Sequence, residues 1–250
     1  MNGQDLAWLF TTLSNTLWLF VFIPQFYNNY KIKNAEAISL SLLFCLLLGD
    51  ILSIISASAK HLNIIIIYAG IYHVVLDLIM IFQILYYRRQ KCLSRDQMII
   101  EETIPLIGVQ NSIVNTYDFY ILTFRELFFI TTCFVFILSS QLLIQIHFIA
   151  DMIGWVATFI FMFARIPQII LNHDRKSTTG LSLLSFIIMN IANIFFLLSV
   201  LILLIDIDTN EHYNYIKYNI QWIVGSSSTN IFDAIIFYQF YIYNKINDNL

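Results

Sequence analysis

Blocks of apolar residues, each about as long as a bilayer is thick, constrain this chain more than any other feature. A helix crosses the roughly 30 Å hydrocarbon core with about 20 consecutive apolar residues. Blocks near that length recur along the sequence at about 6–28, 38–58, 64–87, 127–146, 152–171, 181–204 and 218–243. Hydrophobic residues make up 59% of the chain and charged residues 12%, about half the charge of a soluble domain. In lipid every backbone polar group must be satisfied within the protein, and a helix does this locally. The expected fold is all-α and integral to the membrane, with seven transmembrane helices.

The basic residues set the orientation. With the N-terminus outside, the cytosolic segments hold Lys31, Lys33, Arg88, Arg89, Lys91, Arg95, Arg125, Arg175, Lys176 and Lys245, with Arg165 counted near the cytosolic end of the fifth span. Only Lys60 and Lys217 fall outside. This positive-inside bias gives a lumenal or extracellular N-terminus and a cytosolic C-terminus. The first apolar block lacks a basic leader and is too long for a cleavable signal, so it is expected to remain as a span.

Other classes fall away. The basic residues form no groove-sized patch, so no nucleic-acid partner is expected. Three scattered cysteines, Cys45, Cys92 and Cys133, have neither metal spacing nor a disulfide framework. No nucleophile–base pair or metal cluster appears, so neither enzyme activity nor a cofactor is expected. The aromatic wealth reads as lipid contact and interface belt, with Tyr86, Tyr87, Tyr241 and Tyr243 at cytosolic interfaces.

The chain is an internal repeat. A shift of 143 positions lays Ile23-Pro24-Gln25 on Ile166-Pro167-Gln168, Asn29 on Asn172, Lys33 on Lys176, Ser39 on Ser182, Ser56 on Ser199 and Asp50 on Asn193. A shift of 156 then matches Asp77 with Asp233, Gln83 with Gln239 and Tyr87 with Tyr243. Spans 1–3 therefore recur as spans 5–7 in the same order. Three is odd, so one inverting helix must intervene, and the fourth span supplies it. The expected plan is 3+1+3: a first unit at 1–90, a cytosolic loop plus linker helix at 91–147, and a second unit at 148–250. Such a plan implies a pseudo-two-fold axis along the membrane normal and a central cavity. The loop at about 88–126 is polar and cytosolic, carries no helical periodicity strong enough to define a helix, and is read as flexible.

Two sets of residues stand out within the spans. Pro24 and Pro167 remove a backbone donor near the cytosolic ends of spans 1 and 5 and so mark hinges. Gln25 and Gln168 are expected to bond the backbone groups that the kinks free. Asp50, Asp77 and Asp233 are carboxylates at membrane depth, each costing roughly 2.5–3.5 kcal/mol on insertion scales. No lysine lies in a helix core, so these acids read as unpaired and suited to a cationic substrate, a proton, or both. Asn193 is the neutral counterpart of Asp50, which would set a carboxylate against an amide across the cavity. His73, one turn before Asp77, is a candidate proton relay. Ser39 and Ser182 are expected helix N-caps.

The repeated Pro-Gln followed by a basic, Ser-Leu-ending loop resembles the PQ-loop membrane proteins. Leu48-Gly49-Asp50, Arg165-Ile166-Pro167-Gln168-Ile169, Arg175-Lys176-Ser177-Thr178-Thr179-Gly180-Leu181-Ser182 and Phe232-Asp233 look like the vacuolar and lysosomal basic amino-acid transporters among them. The resemblance covers nearly all the chain except 88–126. It implies export of lysine, arginine or histidine from an acidic organelle to the cytosol, with protons involved. It also implies hinge roles for Pro24, Gln25, Pro167 and Gln168, and acidic motif positions at Asp50 and Asp233. Two departures are Met189-Asn190-Ile191-Ala192-Asn193, where a Gly-Asn step is expected, and Gln221, where a proline often precedes Trp222. Glu101-Glu102-Thr103-Ile104-Pro105-Leu106-Ile107 looks like an acidic dileucine sorting signal, with Glu102, Leu106 and Ile107 read by a vacuolar or lysosomal adaptor. A cystine or neutral-solute carrier, and a non-transporting receptor or nutrient sensor, remain open at this point.

Overall fold

A computed structural model describes residues 2–62, 64–103 and 147–247. Its regular elements are all helical among these residues. In chain order they are α1 (Gly3–Phe20), α2 (Ile23–Ile32), α3 (Leu40–Ala59), α4 (Ile64–Thr103), α5 (His147–Phe163), α6 (Ile166–Arg175), α7 (Leu183–Asp206), a 3-10 turn (Thr209–Glu211) and α8 (His212–Asn247). Among the described residues, five stretches are long and apolar enough to cross a membrane: Gly3–Ile32, Leu40–Ala59, Ile64–Ser94, Phe148–Arg175 and Leu183–Asp206. Helix α8 is long enough too, but Ser226, Ser227, Ser228, Thr229, Asn230 and Asp233 interrupt its apolar surface. The fourth expected span, 127–146, lies outside the described residues, as do Leu106 and Ile107 of the sorting segment.

The expectation of a loop from residue 88 is corrected over the described residues: α4 runs unbroken through Arg88 to Thr103, with Glu102 on helical backbone. Residues 88–103 contain no glycine or proline, and Arg, Gln, Lys and Glu extend a helix well once it is nucleated. At about 1.5 Å per residue, the 40 residues of α4 reach about 60 Å, twice the hydrocarbon thickness. Its polar end must therefore stand clear of the bilayer.

Each Pro-Gln motif ends one helix and begins another. Pro24 and Pro167 sit in the first turns of α2 and α6, where an N–H would have no helical partner and proline costs nothing. Each new helix starts at once on backbone, with Phe26 N donating to Phe22 O at 2.9 Å and Ile169 N to Arg165 O at 3.0 Å, while at the first break Tyr72 Oη donates to the Leu19 carbonyl at 2.6 Å. Both short helices stop on a lysine in the left-handed conformation, Lys33 (φ 53°) and its repeat-mate Lys176 (φ 48°). Ser39 and Ser182 then cap α3 and α7, accepting from Leu42 N and Ser185 N, each at 3.3 Å, as expected.

The two repeats interleave. Helix α1 packs along α7, and its repeat-mate α5 packs along α3, so the first helix of each unit leans on the second helix of the other. Hydroxyls stitch these seams: Ser14 Oγ donates to Ala192 O and Ser56 Oγ to Ala150 O, both at 2.8 Å, and Thr11 Oγ1 meets Ser199 Oγ at 2.6 Å. Such bonds between close-packed helices substitute for the hydrophobic drive that lipid removes. The core joins residues of both units, including Leu43, Leu47, Met80, Ile84, Phe186, Met189 and Ile236. Tyr87 belongs to it and Tyr243 is likewise buried, so neither lies in an interface belt, which corrects the expectation for those two. Tyr86 and Tyr241 remain exposed. Residues one or two apart on a helix point in different directions, so each neighbouring pair cannot share one lipid-facing side.

Candidate functional site

Gln25 and Gln168 do not serve their own kinks, contrary to expectation. Each reaches into the other repeat. The Gln25 amide donates to Gly180 O (3.0 Å) and Asn29 Oδ1 (2.8 Å) and accepts from Ser182 N (2.6 Å). The Gln168 amide donates to Ala37 O and Asn172 Oδ1 and accepts from Ser39 N, all at 2.8 Å. Behind each glutamine stands a second layer. Asn29 Nδ2 donates to Gln83 Oε1 (2.8 Å) and Asn172 Nδ2 to Gln239 Oε1 (2.9 Å). Gln83 and Gln239 then donate to Phe26 O (3.2 Å) and Ile169 O (2.8 Å). Every bond in one set has its repeat-mate in the other. A Cβ added to Gly180 would come within 3.1 Å of Cβ of Ala37, so the two loops meet at matching positions, on the symmetry axis. Gly180 also has φ +90°, which a side chain would strain.

The sequence had matched Asn29 with Asn172 and Gln83 with Gln239 without assigning them a role. Polar identity retained at equivalent depths of two apolar repeats was the signal for both layers.

Deeper in the spans the symmetry fails. Asp77 on α4 and Asp233 on α8 are both fully buried, but their surroundings differ. Asp233 Oδ1 accepts from Arg165 Nε at 2.9 Å. Arg165 is therefore no cytosolic flank charge. It is 2% exposed, the only buried basic side chain among the described residues, and Asp233 is not unpaired. The sequence signal was its repeat-mate, Phe22, which packs against the core and so marks an inward-facing position. Asp77 has no such partner. Neither of its oxygens finds a donor among the described residues, and its neighbour is another acid, the half-buried Asp50, within hydrogen-bonding reach. Carboxylates only accept, so a bond between these two needs a shared proton. Arg165 lies close enough for its charge to act on Asp77, so all three acids and the one base form a single cluster.

Asn193 donates to Thr229 Oγ1 at 3.0 Å, joining α7 to α8 as Asp50 and Asp77 join α3 to α4. Asn190 and Asn230 add a second amide bond at 3.1 Å. His73 stands edge-on to Trp18 and Tyr72, with ring centroids 5.5 and 5.6 Å away, and has no hydrogen bond to Asp77. Along α3, Asp50 lies between the Gln168-bound Ser39 at one end and Lys60 at the other. Lys60 Nζ pairs with Asp151 Oδ1 at 2.6 Å and approaches Gln221 Oε1 at 3.4 Å. Gln221 in turn donates to Asp151 O at 3.2 Å. The residue that departs from the expected proline thus bridges the two repeats, and bonds between repeats stand at both ends of α3, with Asp50 between them.

Two stretches of the chain, residues 6–66 and 149–208, match the family described as the PQ loop repeat. The chain is 25% identical to the vacuolar lysine transporter YPQ1 of Saccharomyces cerevisiae, over 98% of this chain and 96% of that protein. It is equally 25% identical to the vacuolar histidine transporter YPQ3 of the same yeast, over 98% and 94%. Identity to the lysosomal amino acid transporter 1 homolog of Homo sapiens is 27%, over 89% and 77%.

Proposed function

The chain is a PQ-loop repeat protein, and on that footing we propose that it carries cationic amino acids from a vacuole or lysosome into the cytosol. Its relatives are named as vacuolar and lysosomal amino acid transporters, which supports amino acid transport. The choice of cationic cargo rests on one observation, the surplus of acid over base among the described residues at membrane depth: the buried Asp77 and Asp233 and the half-buried Asp50 against Arg165. An excess of carboxylates in a low-dielectric interior is costly unless a cation or a proton joins them. In this reading the Asp50–Asp77 pair takes the cationic side chain or a coupling proton. Seven spans in a 3+1+3 plan rock as two three-helix units about that cluster, with the helix breaks at Pro24 and Pro167 as hinges and a lumenal N-terminus. The 101–107 segment directs the protein to its membrane through an adaptor.

Uptake into proteoliposomes of labelled lysine, arginine and histidine, beside cystine and a neutral sugar, tests the proposal. A pH gradient should speed flux of the cationic amino acids. Transport of cystine or sugar with no cationic flux would favour the other carrier reading, and no flux of any kind would favour a receptor. Asp50→Asn should abolish most cationic uptake, and a wild-type rate in that variant would refute the acidic-site assignment.

A further inference from the structure

The Arg165–Asp233 pair is only half made. An arginine and a carboxylate satisfied by each other meet fork to fork, through two parallel N–H···O bonds. Here a single bond joins them, Nε to Oδ1. The second carboxylate oxygen, Asp233 Oδ2, is buried with no partner among the described residues. One of the guanidinium's terminal nitrogens donates at 3.2 Å to the Met189 thioether sulfur, one of the weakest acceptors a protein offers. One turn from Met189 along α7, the buried hydroxyl of Ser185 also has no partner among the described residues. A pair serving packing alone has no reason to leave a strong donor on sulfur and an anionic oxygen idle in a dry interior, where each costs free energy.

What would complete it is a group presenting a carboxylate and an ammonium side by side. We propose that Arg165 and Asp233 together form the receptor for the amino-acid backbone. The guanidinium takes the substrate's α-carboxylate in place of Met189 sulfur, and Asp233 Oδ2 takes its α-ammonium. This deepens the transport reading and rests on it. The amino-acid end is bound by the second repeat, and the cationic side chain extends to Asp50 and Asp77 of the first. A cationic amino acid carries two positive charges and one negative; the cluster, with one proton on the Asp50–Asp77 pair, carries two negative and one positive. Arg165 stands at the N-terminal end of α6, beside the Ala164–Arg165 break, so movement of α6 about that break would carry the carboxylate-binding group with it. Met189 is unbranched and flexible, which suits a side chain that must give way.

The experiment measures competition against labelled lysine bound to the purified full-length protein, using lysine and lysinamide, whose carboxylate is replaced by a neutral amide. Wild type should prefer lysine by at least tenfold. The preference should largely vanish in Arg165→Gln and in the charge-balanced Arg165→Gln/Asp233→Asn, and survive in part in Arg165→Lys. The wild-type comparison needs no variant to fold: lysinamide binding as tightly as lysine overturns the proposal. So does an unchanged preference in the folded Arg165→Gln or double variant. Absence of any lysine binding to wild type overturns the transport reading itself, a distinct result.

Discussion

Asp77 and Asp233 hold matching positions in the two repeats and opposite electrostatic surroundings, which makes their amide variants informative together. Asp233→Asn leaves Arg165 buried without its counter-charge, and removing one partner of a buried pair costs about 3–5 kcal/mol. Asp77→Asn removes a carboxylate that has no donor among the described residues and relieves its contact with Asp50, so it should leave thermal stability unchanged or raise it while cutting lysine uptake at least tenfold. Thermal melts in detergent beside uptake assays check both. A loss of stability in Asp77→Asn would mean that the acid has a structural partner. His73 supports a third expectation. Its ring packs on Trp18 and Tyr72, so His73→Phe should retain at least half of wild-type uptake, whereas a proton relay would lose nearly all of it.

At the level of elements, the glutamine clamps should behave as a matched pair. Each Gln makes three bonds, two of them to the loop preceding the second helix of the opposite repeat. Gln25→Ala leaves Ser182 N and Gly180 O without their partner, at roughly 1–3 kcal/mol for the groups exposed. If the loops separate when the cytosolic side opens, Gln25→Ala and Gln168→Ala should each shift the protein toward a cytosol-open form by a similar amount. Cysteine labelling near Ala37 reads that shift. A second tie is peripheral. Lys91 on α4 bonds Glu36 at 2.7 and 2.9 Å, and that bond holds the Glu36 carboxyl below the usual carboxylate range. The contribution of a group with a lowered value is present at higher pH and lost only as pH falls through that value, so the tie persists at neutral pH. Being exposed, it is worth at most about 1 kcal/mol. Lys91→Ala should speed amide exchange at 88–94 and leave uptake within twofold.

On the scale of the molecule, five of the expected spans, the repeated Pro-Gln segments and the capping serines could be read from sequence because each is local or periodic. The helical extension to Thr103 was missed because its side chains carry no apolar period, although nothing in them breaks a helix. The pairing of Arg165 with Asp233 and the crossing of Gln25 to Ser182 depend on which helices lie side by side. Sequence spacing does not encode that. The Lys60–Asp151 contact is of the same kind and predicts a charge-swap result. Lys60→Asp should reduce uptake up to about fivefold, the scale of an exposed pair, and Lys60→Asp/Asp151→Lys should restore it.

The interleaving of the repeats bears on how the protein is made. Helix α1 finds its main neighbour in α7, and α3 finds one of its own in α5, so a nascent chain that has delivered only its first unit to the translocon holds two helices whose seams are still open to lipid. Ser14 and Ser56, which bond Ala192 and Ala150, stay without those acceptors until the second unit follows. Each unit inserted alone therefore faces lipid along a seam that the other later covers. Until then Ser14 and Ser56 can turn to carbonyls of their own helices, as Thr11 Oγ1 does with Ala7 O at 3.0 Å. Docking of the two units trades those local bonds for the bonds between repeats.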